Sequence, residues 1–540
     1  NPCIYTVICA AMWKKFDFFT SELLQSESPS SSLFTLQAMD ITCVTGGLGQ
    51  LVFGDSEGGV TISNQNYSLS RFKAHDGCIN GAVLLKSSNT LLTIASNEDI
   101  RSEEEIRCSQ EVSNKIRSSL YANPTYDWMV KDLGLSPAVS PAGELSATEM
   151  KLWRMSSTTE NGIPEPIRTF QLFSTPSNEI VTCISVNEEN DLVVLGCKSG
   201  SIYYIQENLL VRRHCSPVRF STSLDGPVTG LHLLLADDKS SFFLYALTAS
   251  STSCFLFPRR VQAAATCHIL DRSNGCRRRC SCVTDQDECI VARDNGLFRF
   301  RGLESIGCYA FDGVKQTIGS YKDCMLVCCE REGVQLVTIY NLKAHFIEYQ
   351  GQMRRDGAVE AAVASFCEWG DIFILTRRHA IFCYHRLDLQ SKLKVLYDHK
   401  LFELALTVAH SNDLYYGSIV EIHKLYGDYL YQKGAFDEAV AEYIKTIGTI
   451  EPSYVIRRFL DAHQLPNLTQ YLEAIHVQGV ANKDHTTLLL KCYARMRQDA
   501  KLRAFVHGDK EMQFDVPTAI HVLRDCNCVE EAKELALRNR

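Results

Sequence analysis

A β-hairpin pattern recurs between Ile41 and Tyr384, and it constrains the fold more than any other feature of the sequence. Each copy is an apolar run, a polar turn and a second run of alternating character, as in "LVFGDSEGGVTI" (51–62) and "LVVLGCKSGSIYYI" (192–205). Three further copies are "CIVARDNGLFRF" (289–300), "MLVCCEREGVQLVTIY" (325–340) and "IFILTRRHAIFCY" (372–384). The pattern predicts hairpins whose first strand is buried on both faces.

The spacing of these hairpins predicts a β-propeller. Two less regular copies join the series: one at 242–257, and one whose strands at 91–96 and 150–155 are separated by an insertion. The first strands begin near residues 51, 91, 192, 242, 289, 325 and 372. Without the insertion at 101–147 the period is about 40–50 residues, which is typical of four-stranded propeller blades. We therefore predict a seven-bladed, WD-like propeller over residues 12–385; a pair of β-sandwiches is the alternative.

Other segments of this region receive separate predictions. "FKAHDGCINGAVLL" (72–85) is similar to WD-type blades at its His, as "MKLWRM" is at its Trp, and "MWKKFDFF" (12–19) can supply a strand that closes the ring. The insertion 101–147 is polar and then rich in Pro, Ser and Ala, which predicts a flexible surface segment. Residues 1–11 lack the basic start of a signal peptide and are predicted to be a non-native or disordered leader.

After Tyr384 the periodicity becomes helical. "YGDYLYQKGAFDEAVAEYIKTIG" (426–448) carries two apolar stripes at helical spacing on either side of the turn "QKGAF". Small and aromatic residues there fit the tetratricopeptide pattern: Gly427, Gly434, Phe436, Ala439 and Tyr443. Similar helix pairs begin near residues 419, 453, 485 and 516, and an earlier helical segment lies at 401–413. They predict an α-helical solenoid of paired helices, TPR-like or clathrin-repeat-like, over residues 386–540, where we expect it to be truncated.

The cysteines and the net charge limit the compartment and the kinds of partner that are expected for this protein. The odd total of 23 cysteines, most of them inside apolar strand-like runs, predicts free thiols in the core of a protein from a reducing, cytosolic compartment. The net charge of −8 disfavours nucleic acid as a partner and disfavours bulk binding to anionic membranes. No apolar run reaches the roughly 18–20 residues that a transmembrane helix needs.

Two stretches of the sequence are candidate sites. The glycines of "ITCVTGGLGQLVFG" (41–54) lack the helix that a phosphate-binding loop requires, and they predict a turn between blades. "CRRRCSC" (276–282) has three thiols beside basic residues, but tetrahedral zinc needs a second ligand pair. A solvated propeller loop is predicted there. Contact of Arg277, Arg278 and Arg279 with an acidic partner or a phosphoinositide head group is the alternative.

The sequence contains no P-loop, HExxH or GxSxG motif. Surface or packing roles are predicted for His463, His476, His485 and His507, and a solvated charge run is predicted for Glu103, Glu104 and Glu105. No catalytic, cofactor-binding or metal-binding residue is therefore assigned. A propeller followed by a solenoid predicts binding surfaces rather than an enzyme.

Several long stretches resemble the vacuolar protein sorting-associated protein 11 family. The helical ones are "TIGTIEPSYVIRRFLDAHQLPNLTQYLEAIH" (446–476), "ANKDHTTLLLKCYARM" (481–496), "FDVPTAIHVLR" (514–524) and the segment 426–448. In the propeller region "LVFGDSEGG", "SGSIYY" and "WKKFDFF" are similar to the same family. The resemblance is dense after Leu401, patchy before it, and absent at 101–147.

The resemblance implies a core subunit of the HOPS and CORVET tethering complexes, which supports vesicle docking and SNARE-mediated fusion. The implied partners are other vacuolar sorting core subunits, Rab-type GTPases and SNAREs. The implied location is cytoplasmic, peripheral on late endosome, lysosome or vacuole membranes. Members of the family end in a zinc-binding RING domain, so zinc is expected only in that domain and no cofactor is expected in this chain. A coat-type or nuclear-pore-type scaffold and a RING-dependent ubiquitin ligase are the alternatives, and the binding face, the GTPase and the choice of complex stay open.

Overall fold

The predicted hairpins form the two middle strands of seven antiparallel sheets in a computed structural model of the chain. The structure describes residues 7–9, 13–24, 36–122, 126, 130–131, 133–140, 147–158, 163–174, 179–220, 223–236, 240–259, 265–272, 274–411, 416–507, 516–525 and 528–538. The chain divides into two units, Asn1–Leu387 and Asp388–Arg540.

The first unit contains two early strands and then the blades in chain order. The early strands are β1 (Val7–Cys9) and β2 (Phe19–Leu23). Blade 1 comprises β3 (Ile41–Gly47), β4 (Gln50–Asp55), β5 (Gly59–Ser63) and β6 (Leu69–Lys73). Blade 2 comprises β7 (Cys78–Leu85), β8 (Thr90–Ser96), β9 (Ala147–Thr158) and β10 (Pro164–Ser174). Blade 3 comprises β11 (Val181–Asn187), β12 (Leu192–Cys197), β13 (Ile202–Gln206) and β14 (Val218–Arg219).

The remaining blades follow the same order. Blade 4 comprises β15 (Gly230–Leu235), β16 (Ser241–Leu247), β17 (Thr252–Pro258) and β18 (Thr266–Asp271). Blade 5 comprises β19 (Ser281–Val283), β20 (Cys289–Arg293), β21 (Gly296–Arg301) and β22 (Glu304–Ala310). Blade 6 comprises β23 (Val314–Tyr321), β24 (Cys324–Arg331), β25 (Val334–Asn341) and β26 (Phe346–Gly351). After a small ribbon of β27 (Arg354–Arg355) and β28 (Ala358–Val359), blade 7 comprises β29 (Ala362–Glu368), β30 (Asp371–Thr376) and β31 (Ile381–Arg386).

The ring of blades is closed at blade 7. The first strands of neighbouring blades contact each other all the way round, from β3 through β7, β11, β15, β19, β23 and β29 back to β3. The fourth strand of blade 7 is β2, which pairs antiparallel with β31 from Phe19 opposite Arg386 to Leu23 opposite Phe382. The predicted seven-bladed propeller is therefore confirmed. The closing strand begins at Phe19, the last residue of the segment that was expected to supply it.

The segment predicted to be a non-native or disordered leader contributes to a sheet. Val7–Cys9 forms β1, which pairs parallel with β22 in the register of Val7 opposite Cys308. The disordered alternative is therefore wrong for these three residues, because they pair with an outer blade strand. The non-native alternative stays a prediction. The other leader residues, 1–6 and 10–12, lie outside the described part of the chain.

Burial explains the apolar first strand of each predicted hairpin. All residues of β8 and of β12 are buried, since each of these strands packs against a blade on either side. The turn after the buried strand uses glycine for a steric reason. At Gly58 and Gly200 φ is +81° and +84°, and an added Cβ would lie 2.1 Å from the carbonyl oxygen of His75 and 2.2 Å from that of Leu224.

The histidine and tryptophan with WD-like positions meet in blade 2. His75 Nδ1 lies 2.8 Å from a carboxylate oxygen of Glu149, and its Nε2 lies 2.8 Å from the hydroxyl of Thr93. Trp153 Nε1 donates to the same hydroxyl at 3.0 Å. This hydrogen-bonded chain joins two strands of the blade, β8 and β9, to the loop that precedes the blade.

The insertion 101–147 is not simply a flexible surface segment. It contains the 20-residue helix α1 (Glu103–Ala122), which has a buried face. That face carries Ser109, Ser113, Arg117 and Leu120. The sequence prediction fails here because most of the buried face is polar. Its burial depends on hydrogen bonds to propeller loops, and the helix therefore has no apolar stripe that would indicate a buried face in the sequence.

The second unit consists of successive helices. They are α2 (Leu389–Asp398), α3 (Phe402–Ser411), α4 (Tyr416–Gln432), α5 (Phe436–Ile444), α6 (Pro452–Asp461), α7 (Leu465–Val477), α8 (Lys483–Arg495), α9 (Asp499–His507), α10 (Val516–Asp525) and α11 (Val529–Arg538). Consecutive pairs from α4 onward correspond to the predicted repeats, and the predicted solenoid is confirmed. None of the described helices has the length and apolar character needed to cross a bilayer.

Small and aromatic residues hold the first solenoid pair together. Gly427 of α4 packs against the ring of Tyr443 in α5, and an added Cβ at Gly427 would lie 2.9 Å from that ring. The hydroxyl of Tyr443 donates to Asp428 at 2.6 Å, and that of Tyr454 in α6 donates to the same carboxylate at 2.8 Å. Arg458 of α6 adds an ion pair to Asp428 at 3.1 Å. Three successive helices are thus tied to one carboxylate.

The contact between Gly427 and Tyr443 gives a stability prediction. Gly427→Leu should lower the free energy of unfolding by about 1–3 kcal/mol, because the buried Tyr443 ring leaves no space for the new side chain. Urea unfolding followed by far-UV circular dichroism measures this change. Ala441→Leu is the matched control, since Ala441 lies on the exposed face of α5. Equal unfolding midpoints for the two variants would contradict the assigned helix crossing.

Candidate binding site at the propeller channel

Helix α1 is anchored to loops of blades 1 and 7 by a buried polar network. Arg101, just before the helix, forms an ion pair with Asp40 at 2.7 Å. Ser109 of α1 donates to the same carboxylate and lies 2.7 Å from Nε2 of His379. Although burial opposes it, hydrogen bonding and the charge of Arg101 lower the pKa of Asp40, so that this carboxyl group is ionised.

Arg117 anchors the second half of the helix. Its side chain is fully buried, and its guanidinium donates to the carbonyl oxygen of Ala38 at 2.7 Å and to both carboxylate oxygens of Glu57 at 2.6 and 3.1 Å. Burial raises the pKa of Glu57, but the hydrogen bond from Arg117 is among the larger contributions that leave it below its ordinary value. A two-point contact of this kind fixes the orientation of the helix as well as its position.

The start of α1 has a local sequence signal that was missed. The hydroxyl of Ser102 accepts from the backbone N–H of Glu105 at 3.2 Å, and the carboxylate of Glu105 accepts from the N–H of Ser102 at 3.1 Å. This capping box, spelled Ser-x-x-Glu, marks a helix start. Glu104 is exposed and pairs with Arg377 at 3.1 Å, whereas Glu105 is only partly exposed. The predicted solvated charge run therefore holds for Glu103 and Glu104 but not for Glu105.

Two arginines, Arg278 and Arg279, lie at one end of the propeller channel. We call this end the channel mouth and define it as these two residues together with the starts of β3 and β29. Arg279 donates to the carbonyl oxygen of Val363 in β29 at 3.0 Å and to that of Thr42 in β3 at 3.2 Å. Its own carbonyl oxygen accepts from the N–H of Ile318 in β23 at 3.0 Å. A residue of blade 5 thus reaches blades 6, 7 and 1.

The mouth opens into a cavity of about 320 Å³, which we call the channel cavity. Its walls come from β3, β11, β15, β19, β23 and β29, the first strands of six blades. Arg278 and Arg279 are the charged side chains among the described residues that line it. His232 also lines the cavity, but burial lowers its pKa to about 4, so it is neutral at pH 7.

The prediction of a solvated loop at 276–282 is wrong for most of that segment. Cys276 and Cys280 are buried, and the arginine that lies mainly in solvent is Arg277, whose ion pair with Asp294 is more than half exposed at both ends. Burial raises the pKa of Cys276 to about 11 and that of Cys280 to about 12. The thiols are protonated at neutral pH, and their basic neighbours do not make them reactive.

Other singled-out residues have structural positions. Of the glycines in "ITCVTGGLGQLVFG", Gly46 and Gly47 end β3, Gly54 lies in β4, and Gly49 lies in the turn between these strands. That turn is inside blade 1 rather than between blades. His476 Nδ1 lies 2.7 Å from the carbonyl oxygen of Leu472, and His485 belongs to the capping box of α8. His463 lies at the end of α6 with a φ of 55°. The side chain of His507 is outside the described part of the structure.

Three possible metal-ligating side chains meet in blade 7 without a sequence motif. The ligand atoms of Asp371, Cys383 and His385 lie within 4.8 Å of one another. His385 contacts Asp371 at 3.0 Å and Glu22 of the closing strand at 3.4 Å. Burial, followed by the charges of Asp371 and Glu22, raises the pKa of the Cys383 thiol to about 12. Only the register of β30 with β31 could have indicated that these residues are neighbours.

Comparison with protein families covers both units. The family model described as PEP5/VPS11 N-terminal matches residues 13–108 and 139–385, and the model described as PEP5/VPS11 clathrin repeat matches residues 431–540. The interval between the two N-terminal matches contains most of α1. The matched residues otherwise include nearly all of the described blade strands and the helices from α5 onward.

Curated relatives align along almost the whole chain. The vacuolar protein sorting-associated protein 11 homolog of Mus musculus is 29% identical over 97% of this chain and 53% of its own length. That of Arabidopsis thaliana is 30% identical over 97% of this chain and 51% of its own length. The RING finger protein PFE0100w of Plasmodium falciparum is 37% identical over 21% of this chain and 9% of its own length. The chain thus spans about half the length of the vacuolar sorting relatives.

The contact of Arg117 with Glu57 predicts that α1 depends on one side chain. Arg117→Met should destabilise the docked helix by about 3 kcal/mol, because it leaves a partly buried carboxylate without its main partner. Hydrogen–deuterium exchange should then show faster exchange of the α1 amides. Arg107→Met is the control, since Arg107 lies on the exposed face of the same helix. Unchanged protection of α1 in Arg117→Met would show that the pair does not hold the helix.

The buried position of His379 predicts a loss of stability in acid. Burial is the main cause that lowers its pKa to about 4; the charge of Arg101 acts in the same direction, and Asp40 and the carbonyl oxygen of Gln37 act against it. Between pH 6.5 and 4 the unfolded chain binds a proton that the folded chain does not. The stability contributed by this group therefore falls by about 1.4 kcal/mol per pH unit in that window.

His379→Gln should reduce this acid dependence. Melting temperatures measured from pH 7 to pH 4.5 should fall less steeply for that variant than for the wild type. The exposed His214 provides the control variant, His214→Gln, which should keep the wild-type slope. Parallel curves for His379→Gln and the wild type would mean that His379 is protonated in the folded protein.

Proposed function

This chain belongs to the PEP5/VPS11 family, and from that premise we propose that it is a non-catalytic scaffold in a multisubunit vacuolar sorting complex that tethers membranes. The observation that carries the proposal is the match of family models to both of its structural units, the propeller and the solenoid. Such units present extended surfaces to partners and need no deep catalytic pocket.

The chemistry of the buried polar groups supports a non-catalytic role. Nucleophilic and general-base catalysis need thiols with a lowered pKa or histidines that titrate near neutral pH. Burial instead raises the pKa of Cys282 and Cys367 to about 12. It lowers the pKa of His232 and His379 to about 4. These groups are suited to packing and hydrogen bonding.

The solenoid supplies the mechanical property that a tether needs. Each helix pair buries its apolar stripe against its neighbours, as where Phe459 of α6 and Tyr471 of α7 are both fully buried in one continuous core. Repeats stacked in this way form an extended surface on which partners can bind at successive positions. Several weak contacts spread over such a scaffold add up to high avidity.

The finer assignment is to the HOPS and CORVET complexes. In this assignment the chain contacts the other vacuolar sorting core subunits and, directly or through them, Rab-type GTPases and SNAREs. It acts at late endosomes, lysosomes or vacuoles as a peripheral component, and it promotes docking before SNARE-mediated fusion. The names of the mouse and Arabidopsis relatives support the vacuolar sorting part of this assignment.

A second candidate function concerns a longer protein that contains this chain. The similarity to the RING finger protein of Plasmodium falciparum favours a ubiquitin ligase in which propeller and solenoid position the substrate. Activity would then require a zinc-binding RING domain, and no residue of this chain is assigned as a zinc ligand from its sequence. A ubiquitin-transfer assay with the longest available protein distinguishes this candidate from a pure scaffold.

Affinity purification from gently lysed cells tests the scaffold proposal. The tagged chain should recover other vacuolar sorting core subunits together with endolysosomal SNAREs or Rab proteins, identified by mass spectrometry. Recovery of coat or nuclear-pore subunits in their place would overturn the proposal. These scaffolds share the propeller–solenoid architecture, so only the identity of the partners separates the cases.

A matched pair of variants locates the contacts. Gly427→Leu disrupts the packing of α4 on α5, and it should reduce recovery of partners that bind the solenoid. Ala441→Leu places the same side chain on the exposed face of α5 and should retain them. Equal recovery with both variants would assign the partner contacts to the propeller.

A further inference from the structure

Arg278 and Arg279 place two positive charges at the channel cavity without a carboxylate in direct contact. Within the described part of the chain, no carboxylate oxygen forms a salt bridge with either guanidinium. The carboxyl group of Glu105 in α1 is affected electrostatically by both arginines. Burial opposes a low pKa there, and the N–H of Ser102 followed by the charges of Arg279 and Arg278 lower it. One partly exposed carboxylate leaves an excess of positive charge at the mouth.

Arg278 carries a donor that is not used within the described structure. Its Nη1 is buried and has no hydrogen-bond partner there. Arg278 lines the channel cavity together with Cys43 of blade 1 and Cys183 of blade 3, which places its side chain toward the interior of the ring. A buried cationic donor without an acceptor is costly, so the position favours a ligand that supplies one.

Arg279 is held in place more firmly. Its backbone has a φ of 63°, a left-handed conformation that is uncommon for a residue with a side chain. Its guanidinium is fixed by the carbonyl oxygens of Val363 and Thr42. Burial, and next the charge of Arg278, lower its pKa to about 10, which still leaves it charged at pH 7. Carbonyl oxygens satisfy its hydrogen bonds but do not neutralise its charge.

We propose that the channel mouth binds a small, soluble, phosphate-bearing ligand through Arg278 and Arg279. A phosphate monoester carries close to two negative charges and several acceptor oxygens, which suits two adjacent guanidinium groups better than a single carboxylate does. The cavity of about 320 Å³ has the size of a small-molecule site. The guanidinium groups lie inside the ring of blades, so the phosphate group reaches them from solution rather than from a flat membrane surface.

Calorimetry and thermal shift with defined phosphates test this site. Inorganic phosphate and inositol trisphosphate should bind the wild-type chain saturably and raise its melting temperature above that in chloride at equal ionic strength. Arg278→Gln should weaken binding at least about tenfold, the scale of one charged hydrogen bond. Arg277→Gln is the matched control, because it removes the same charge from the same loop at an exposed position and should bind as the wild type does.

A further readout separates a ligand site from a structural role. Without phosphate, Arg278→Gln should be at least as stable as the wild type, since it replaces an unpartnered, positively charged donor by a neutral amide. A lower melting temperature of that variant in chloride would overturn the proposal. Absence of saturable phosphate binding, or equal weakening by Arg277→Gln, would overturn it as well.

Vesicles distinguish a soluble ligand from a lipid head group. Phosphatidylcholine vesicles with and without phosphatidylinositol phosphate should sediment equally little of the chain. Binding to the phosphoinositide vesicles that depends on Arg278, without binding of soluble inositol trisphosphate, would overturn the enclosed site in favour of a surface one. Neither result bears on the scaffold proposal, which rests on the family and the architecture.

Discussion

The antiparallel pairing of β2 with β31 is the interaction on which the first unit depends. It joins strands from opposite ends of the propeller sequence. Because the entropy cost of closing a loop grows with its length, forming this pair costs more conformational entropy than pairing neighbouring strands does. Closure removes the open sheet edges that an incomplete ring would expose. It also creates the channel, because only a closed ring brings β29 beside β3 and lets Arg279 contact both.

The polar anchoring of α1 is a second consequence of closure. The helix contacts Asp40 before blade 1 and His379 in blade 7, two loops that are neighbours only in the closed ring. Its buried face is mainly polar, so each hydrogen bond must be made for the helix to dock. A charged, serine-rich insertion can therefore be ordered. Docking of the helix also brings Glu105 close enough to the channel arginines for their charges to lower its pKa.

The two units differ in the range of the contacts that stabilise them. Blade 7 is completed by β2, a strand from the other end of the unit, whereas the solenoid is assembled from neighbouring helix pairs such as α4 with α5. A solenoid of local contacts tolerates variation in length and presents one continuous surface. A closed ring offers loops around a channel of defined size. One chain thus combines a series of locally packed helix pairs with a closed ring whose channel cavity is the proposed ligand site.

The sequence by itself determined the hairpin period, the seven blades, the helix pairs and the family. All of these are repeated local patterns, because a buried strand and a buried helix face each require apolar residues at a characteristic spacing. The helix crossing of Gly427 with Tyr443 was likewise indicated by residues of the repeat pattern itself. Only the tertiary structure decided which polar residues are buried. The local sequence around Arg278 and Arg279 reads as a solvated loop, and that around Ser109 and Arg117 reads as a flexible insertion. Their burial comes from residues far away in the chain, which no local periodicity encodes.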